Sequence, residues 1–251
     1  MKQSVSKLFW ALIFLLATVP AQSQEKNAVS AKVSAELVSS YIWRGSPSFS
    51  TINGQPVLAP NIQPTLGVLF GGLEIGAWGS TDFTGSYQEM DLYASYTIKG
   101  LTATVSDYFW SSDWATKPYF LYKNETTGHI VEGMLSYQPE KVPIRLTVAT
   151  MLYGADKSAD DQSKNNYSTY FELGYTFNIQ DYDFNAVVGM TPADGFYGDG
   201  YGNITGFGIV NIGLTGSKKI KISEKLETTI RSSLVFNPQQ EKAYLVFGIS
   251  L

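Results

Sequence analysis

Apolar and polar residues alternate along most of this chain. From Lys32 to Arg44, Val33, Ala35, Leu37, Tyr41 and Trp43 fall on one parity, and Lys32, Ser34, Glu36, Ser40 and Arg44 on the other. Successive side chains of a strand point to opposite faces, so the pattern predicts an extended segment with one apolar and one polar face. The last residues repeat it: Ala243, Leu245, Phe247, Ile249 and Leu251 alternate with Tyr244, Val246, Gly248 and Ser250. If first and last strands pair, the sheet closes.

The same test along the chain predicts twelve strands. After the opening one they start near Asn61, Leu73, Glu89, Leu101, Ile130, Ile144, Tyr167, Tyr182, Thr205, Leu226 and Ala243. The strand from Thr205 to Gly216 has poor parity and its faces are left unassigned. Met90, Leu92, Ala94, Tyr96 and Ile98 alternate with Glu89, Asp91, Tyr93, Ser95 and Thr97. Two carboxylates on a buried sandwich face would be costly, whereas a wet barrel interior accepts them.

Connections alternate long and short. Gly71-Gly72, Lys99-Gly100, Gln138 to Pro143 and Gln180-Asp181 are short and share one end. Gly45–Pro60, Ser80–Tyr87, Ser111–Gly128, Gly154–Asn166 and Thr191–Asn203 are longer and share the other. The links at Ser217–Lys225 and Asn237–Lys242 break the rule. Outer-membrane barrels show this asymmetry; a soluble sandwich has water at both ends and no reason for it. Tyr41, Trp43, Phe109, Trp110, Tyr137, Tyr153, Tyr167 and Phe177 lie near strand ends, where a membrane barrel carries aromatic girdles.

Composition fits that picture. The chain is 44% hydrophobic and 16% charged, and its mean hydropathy is near zero, as expected when apolar positions are diluted one to one by polar ones. Lys2 and Lys7 precede the apolar run Leu8 to Val19 and then Pro20-Ala21-Gln22-Ser23, the pattern of a cleaved signal peptide. Cleavage after Ala21 or after Ser23 fits, which divides the chain into a leader, 1–23, and a barrel, 24–251. Losing Lys2 and Lys7 leaves 16 basic against 22 acidic residues, a net of −6. A chain so charged, with no basic stripe, is a poor nucleic-acid binder. The absence of cysteine removes disulfides, thiolate chemistry and a lipidated cysteine.

Val38-Ser-Ser-Tyr-Ile-Trp-Arg-Gly45, Pro60-Asn-Ile-Gln-Pro-Thr-Leu-Gly67, Gly76-Ala-Trp-Gly79 and Glu89-Met-Asp-Leu-Tyr-Ala-Ser-Tyr96 resemble the TorF-type porins, Gcw_chp-like outer-membrane β-barrels. The match runs from about Val33 to Trp110. The resemblance implies a porin-like fold and brings no catalytic residue with it.

With the polar parity inward, the lumen is expected to be lined by Lys32, Glu36, Arg44, Glu74, Glu89, Asp91, Glu132, Arg145, Glu172, Asp183, Glu227 and Arg231. Eight of these are acids and four are bases, which favours cations in an open pore. The alternative is that the charges pair across a filled interior. Twelve strands lie between the filled eight-stranded barrels and the open channels of 16 to 18. Arg44-Gly45 is read as a rim position where the arginine pairs with a carboxylate, or else meets a lipid phosphate or an anionic solute.

His129, the single histidine, lies near Ser111 and Ser112, a minimal acyl-transfer pair lacking an obvious third member. Asp194, Asp199 and Asn203 supply calcium-type oxygens without the spacing of a calcium loop. The expectation is therefore an all-β, antiparallel transmembrane barrel of about twelve strands in the bacterial outer membrane, without cofactor or metal. It would contact membrane lipid or lipopolysaccharide, pass small hydrophilic solutes or ions with mild cation preference, and have no enzymatic activity. A non-conducting surface barrel with a binding or structural role, and a lipid hydrolase, are the alternatives.

Overall fold

The computed structural model describes residues 29–111, 118–158, 161–193, 195–197, 206–224 and 226–250. Twelve long strands form the wall: β1 (Ser30–Val38), β2 (Asn61–Phe70), β3 (Leu73–Asp82), β4 (Gln88–Ile98), β5 (Leu101–Tyr108), β6 (Ile130–Tyr137), β7 (Ile144–Gly154), β8 (Thr169–Ile179), β9 (Tyr182–Thr191), β10 (Gly208–Ser223), β11 (Leu226–Asn237) and β12 (Lys242–Ser250). Each pairs antiparallel with its chain neighbours, and β1 pairs with β12, so the sheet is closed. Closure satisfies the backbone donors and acceptors that an edge strand would expose.

The closing seam is short. Glu36, Leu37 and Val38 pair with Ser250, Ile249 and Gly248, whereas the other side of β1 pairs with β2 from Ser30 to Val38. The Glu36 carboxylate reinforces the seam, pairing with Arg231 of β11 and accepting from the Ser250 hydroxyl at 3.2 Å.

The apolar parity points outward. Val33 is 76% exposed and Leu66 63%, and Ile75, Leu92, Leu146, Leu173, Leu214 and Leu245 are exposed with them. Asn61, Gln63, Ser80, Glu89, Asp91, Glu132 and Ser233, on the opposite parity, are buried. The molecule is therefore inverted relative to a water-soluble core, where large apolar side chains would be the buried set.

Three expectations need correcting. The opening strand does not run to Arg44: it stops at Val38, and Ile42–Trp43 pairs with Ser46–Pro47 in a separate hairpin. Arg44 and Gly45, with φ of 50° and 82°, make its turn, and left-handed backbone at two successive residues reverses a chain tightly. Tyr41, Trp43 and Arg44 consequently leave the wall. Secondly, β10 continues to Ser223, with Lys219 and Lys221 alternating with Ile220 and Ile222, so the supposed long link at Ser217–Lys225 is mostly strand. Its poor parity has a cause. The register with β9 shifts between Gly189 and Met190, a bulge that leaves Val210 and Asn211 both buried. Thirdly, the aromatic girdle is only partial. Tyr137 and Tyr167 are exposed, but Phe109 is fully buried and Trp43 and Trp110 pack against an internal cluster.

Candidate functional site

The lumen is the candidate site, and its long-loop end is filled by the first connection. The hairpin at Ile42–Pro47 brings Arg44 against Glu132 of β6, Nη1 to Oε2 at 2.5 Å and Nη2 to Oε1 at 2.8 Å. Arg44 also donates to the Tyr197 hydroxyl, and the Tyr108 hydroxyl donates to Glu132 Oε1 at 2.9 Å. The guanidinium lies 4.4 Å from the Trp43 ring centroid and 4.7 Å from that of Tyr170. A planar cation suits this place because it bonds a carboxylate with two parallel donors while stacking on π faces. Ile130, Met151, Tyr170, Tyr197 and Val210 pack around the pair. Gly45 is fixed to the opposite wall, its carbonyl accepting from Asn237 Nδ2 at 3.1 Å.

Below this layer the remaining bases each meet an acid. Arg145 Nη2 bonds Glu172 at 3.0 Å, and Tyr170 donates to the other Glu172 oxygen at 2.8 Å. Arg231 pairs with Glu36. Lys32 Nζ bonds Glu74 at 2.9 Å, and Tyr93 donates to the same oxygen at 2.7 Å. Side-chain exposure is 10% and 1% for the Arg44–Glu132 pair and 45% and 22% for Lys32–Glu74, so the lumen widens toward water away from the hairpin. A polar cavity of about 340 Å³ lies between, bounded by Arg44, Arg145, Glu172, Asn211 and Arg231.

Four predicted lining acids have no such base among the described residues. Glu89 accepts from the Tyr87 hydroxyl and Asp91 Oδ1 from the Phe109 amide at 3.3 Å. Asp183 accepts from Asn178, and Glu227 is exposed opposite Lys221 in the β10–β11 ladder. Burial first, and the Glu89 charge second, push the hydroxyls of Tyr41 and Tyr87, both in connections, well above the ordinary tyrosine range. They remain neutral, and Tyr87 keeps the proton it donates.

His129 is fully buried under the third long loop. Its Nδ1 lies 2.8 Å from Asp107 Oδ1, its Nε2 2.5 Å from the Tyr119 carbonyl, and Tyr122 stacks on it at 4.1 Å. Asp107 is an orienting carboxylate that spacing did not identify. The nitrogen a serine would need is spent on a backbone carbonyl, and the ring ties the loop to the wall. Ser112, Asp194, Asp199 and Asn203 lie outside the described residues. The aromatic residues around Arg44 were missed as a site. The signal available was the Phe196-Tyr197 pair inside a glycine-rich loop, a poor place for two large rings unless they pack inward.

No protein-family model matches the chain, and no curated protein matches it. A solved structure described as "structure of porin refined at 1.8 angstroms resolution" aligns with 88% of this chain and 99% of its own, at 8% identity and a TM-score of 0.36. Likeness at that level supplies no argument about this chain.

Proposed function

We propose that the chain is a porin-like outer-membrane barrel that passes small hydrophilic solutes or ions through a constricted lumen. The observation that carries this reading is the inversion of the wall, with apolar side chains exposed around the outside and ionised and hydroxyl side chains enclosed. Only a hydrocarbon surround makes the outer face favourable, and only closed barrels and helices satisfy their backbone there. The leader read in the sequence at 1–23 and the short-turn, long-loop asymmetry support an outer-membrane location, with the outer face against lipid or lipopolysaccharide, and the TorF-type resemblance agrees with this reading.

Glu36, Glu74, Glu132 and Glu172 are neutralised by Arg231, Lys32, Arg44 and Arg145. Any cation preference therefore comes from Glu89, Asp91, Asp183 and Glu227. The hairpin around Arg44 is the constriction. A silent, surface-binding barrel is the second reading, favoured by the packing of Tyr108, Tyr170 and Tyr197 around that arginine.

Conductance of the refolded barrel in a planar bilayer under a salt gradient tests the proposal. Stepwise currents are expected, with a cation-selective reversal potential that moves toward zero in Glu89→Gln/Asp91→Asn. Protein that inserts as heat-resistant sheet and carries no current, with or without the hairpin, would overturn conduction in favour of the binding role.

A further inference from the structure

The aromatic layer at the long-loop end contains two buried carboxylates in contrasting situations. Glu132 is 1% exposed and fully matched by Arg44, a cation held over the faces of Trp43 and Tyr170. Glu89 is 9% exposed, and no lysine, arginine or histidine among the described residues lies within ion-pair distance of it. Its neighbour on the same face of β4, Asp91, also lacks one and accepts from the Phe109 amide.

A cavity of about 350 Å³ lies against Glu89, walled by Trp43, Tyr87, Tyr108, Trp110 and Phe196. That is at the small end of the range for small-molecule sites, roughly 300–1,000 Å³. The rings meet edge to face, Trp43 with Tyr108 at 5.6 Å and Trp110 with Phe196 at 5.8 Å, which turns them about the space at different angles. The outermost lining residue, Phe49, is 49% exposed, so the cavity communicates with the surface.

We infer that this cavity is a binding site for a small alkylammonium cation of the quaternary type, enclosed by the rings and neutralising Glu89. A quaternary ammonium brings positive charge without donors on its nitrogen, matching a pocket lined mainly by π faces, with one carboxylate and the Ser46 and Ser48 side chains at its edge. A lysine-like primary ammonium would lose three hydrogen bonds to water and would have to regain them from Glu89 and the few hydroxyls of the lining. A sugar would leave the carboxylate charge uncompensated. The site stands whether or not the lumen conducts.

The test titrates the folded barrel in detergent with choline and with its uncharged isostere, 3,3-dimethylbutan-1-ol, following tryptophan emission and heat. Choline is expected to saturate, with the isostere weaker by roughly tenfold. Glu89→Gln should weaken choline by a similar factor and leave the isostere unchanged, while Trp110→Ala weakens both. Equal affinity for the two probes, saturation by glucose in place of choline, or no saturation by choline would each overturn the assignment. If Glu89→Gln fails to fold, the comparison of the two probes on the unaltered chain decides the matter alone.

Discussion

Arg44 clamps Glu132 across 88 positions of sequence, tying the first connection to the sixth strand through two hydrogen bonds inside a ring of aromatic side chains. Both partners are almost wholly enclosed, so neither charge has water to fall back on.

Removing the arginine should therefore be expensive. Arg44→Ala leaves Glu132 charged and unpaired in the barrel interior, a loss of about 3–5 kcal/mol for a buried pair. The checks are the temperature at which the folded band disappears on heat-modifiability gels and the single-channel conductance. The first should fall and the second rise. Arg44→Ala/Glu132→Ala should recover part of the stability and keep the larger current.

Gly45 offers a separate handle on the same hairpin. A Cβ there would overlap the Val210 backbone carbonyl, and the φ of +82° disfavours any L side chain. Gly45→Ala is expected to cost about 1–3 kcal/mol and to release the hairpin from the β10 and β11 wall. Protease cleavage between Ser39 and Pro60 should then become faster while the barrel itself resists.

The closing seam can be tested with the cysteines that the chain lacks. Leu37 and Ile249 are paired across β1 and β12 on the outer face. Directly opposed residues of antiparallel strands lie about 4.5–5.5 Å apart, within disulfide reach. Leu37→Cys/Ile249→Cys should form a disulfide spontaneously on oxidation and raise the unfolding temperature. Failure to crosslink in a folded barrel would show that the two strands do not meet in this register.

His129 should behave as a loop anchor. His129→Phe keeps the stacking with Tyr122 and loses the bonds to Asp107 and the Tyr119 carbonyl. A cost of about 1–3 kcal/mol and faster proteolysis in the loop between Phe109 and His129 are expected, with conductance unchanged. Lipid hydrolysis by the unaltered chain, lost in His129→Phe, would reverse this reading.

Strand number, order and facing were legible because a strand's side-chain period of two is written directly into β4 and β8, and Glu89 with Asp91 decided which face is enclosed. Parity does not tell where a chain leaves the wall. Tyr41 and Trp43 keep the parity of Val33 and Leu37, and only the bend at Ser39-Ser40, where β1 stops, separates them. The bulge that disturbed β10 inserts a residue without any compositional mark. Charge pairing was equally hidden: the acids and bases of the lumen could be named, but the partnership of Arg145 with Glu172, or Glu36 with Arg231, depends on strand register and side-chain reach.

The hairpin that fills the lumen belongs to the first connection of the chain, and it is fastened to β6 through Arg44 and to β11 through Asn237. That arrangement limits the directions from which the hairpin can reach its place. The junction of β12 with β1 closes the wall around its own stopper, much as a cask is hooped around its contents. An assembly intermediate lacking β12 would be the last stage at which the hairpin could swing in or out sideways. Thereafter it has only the axial route, past the loops at its own end or down the ladder of ion pairs.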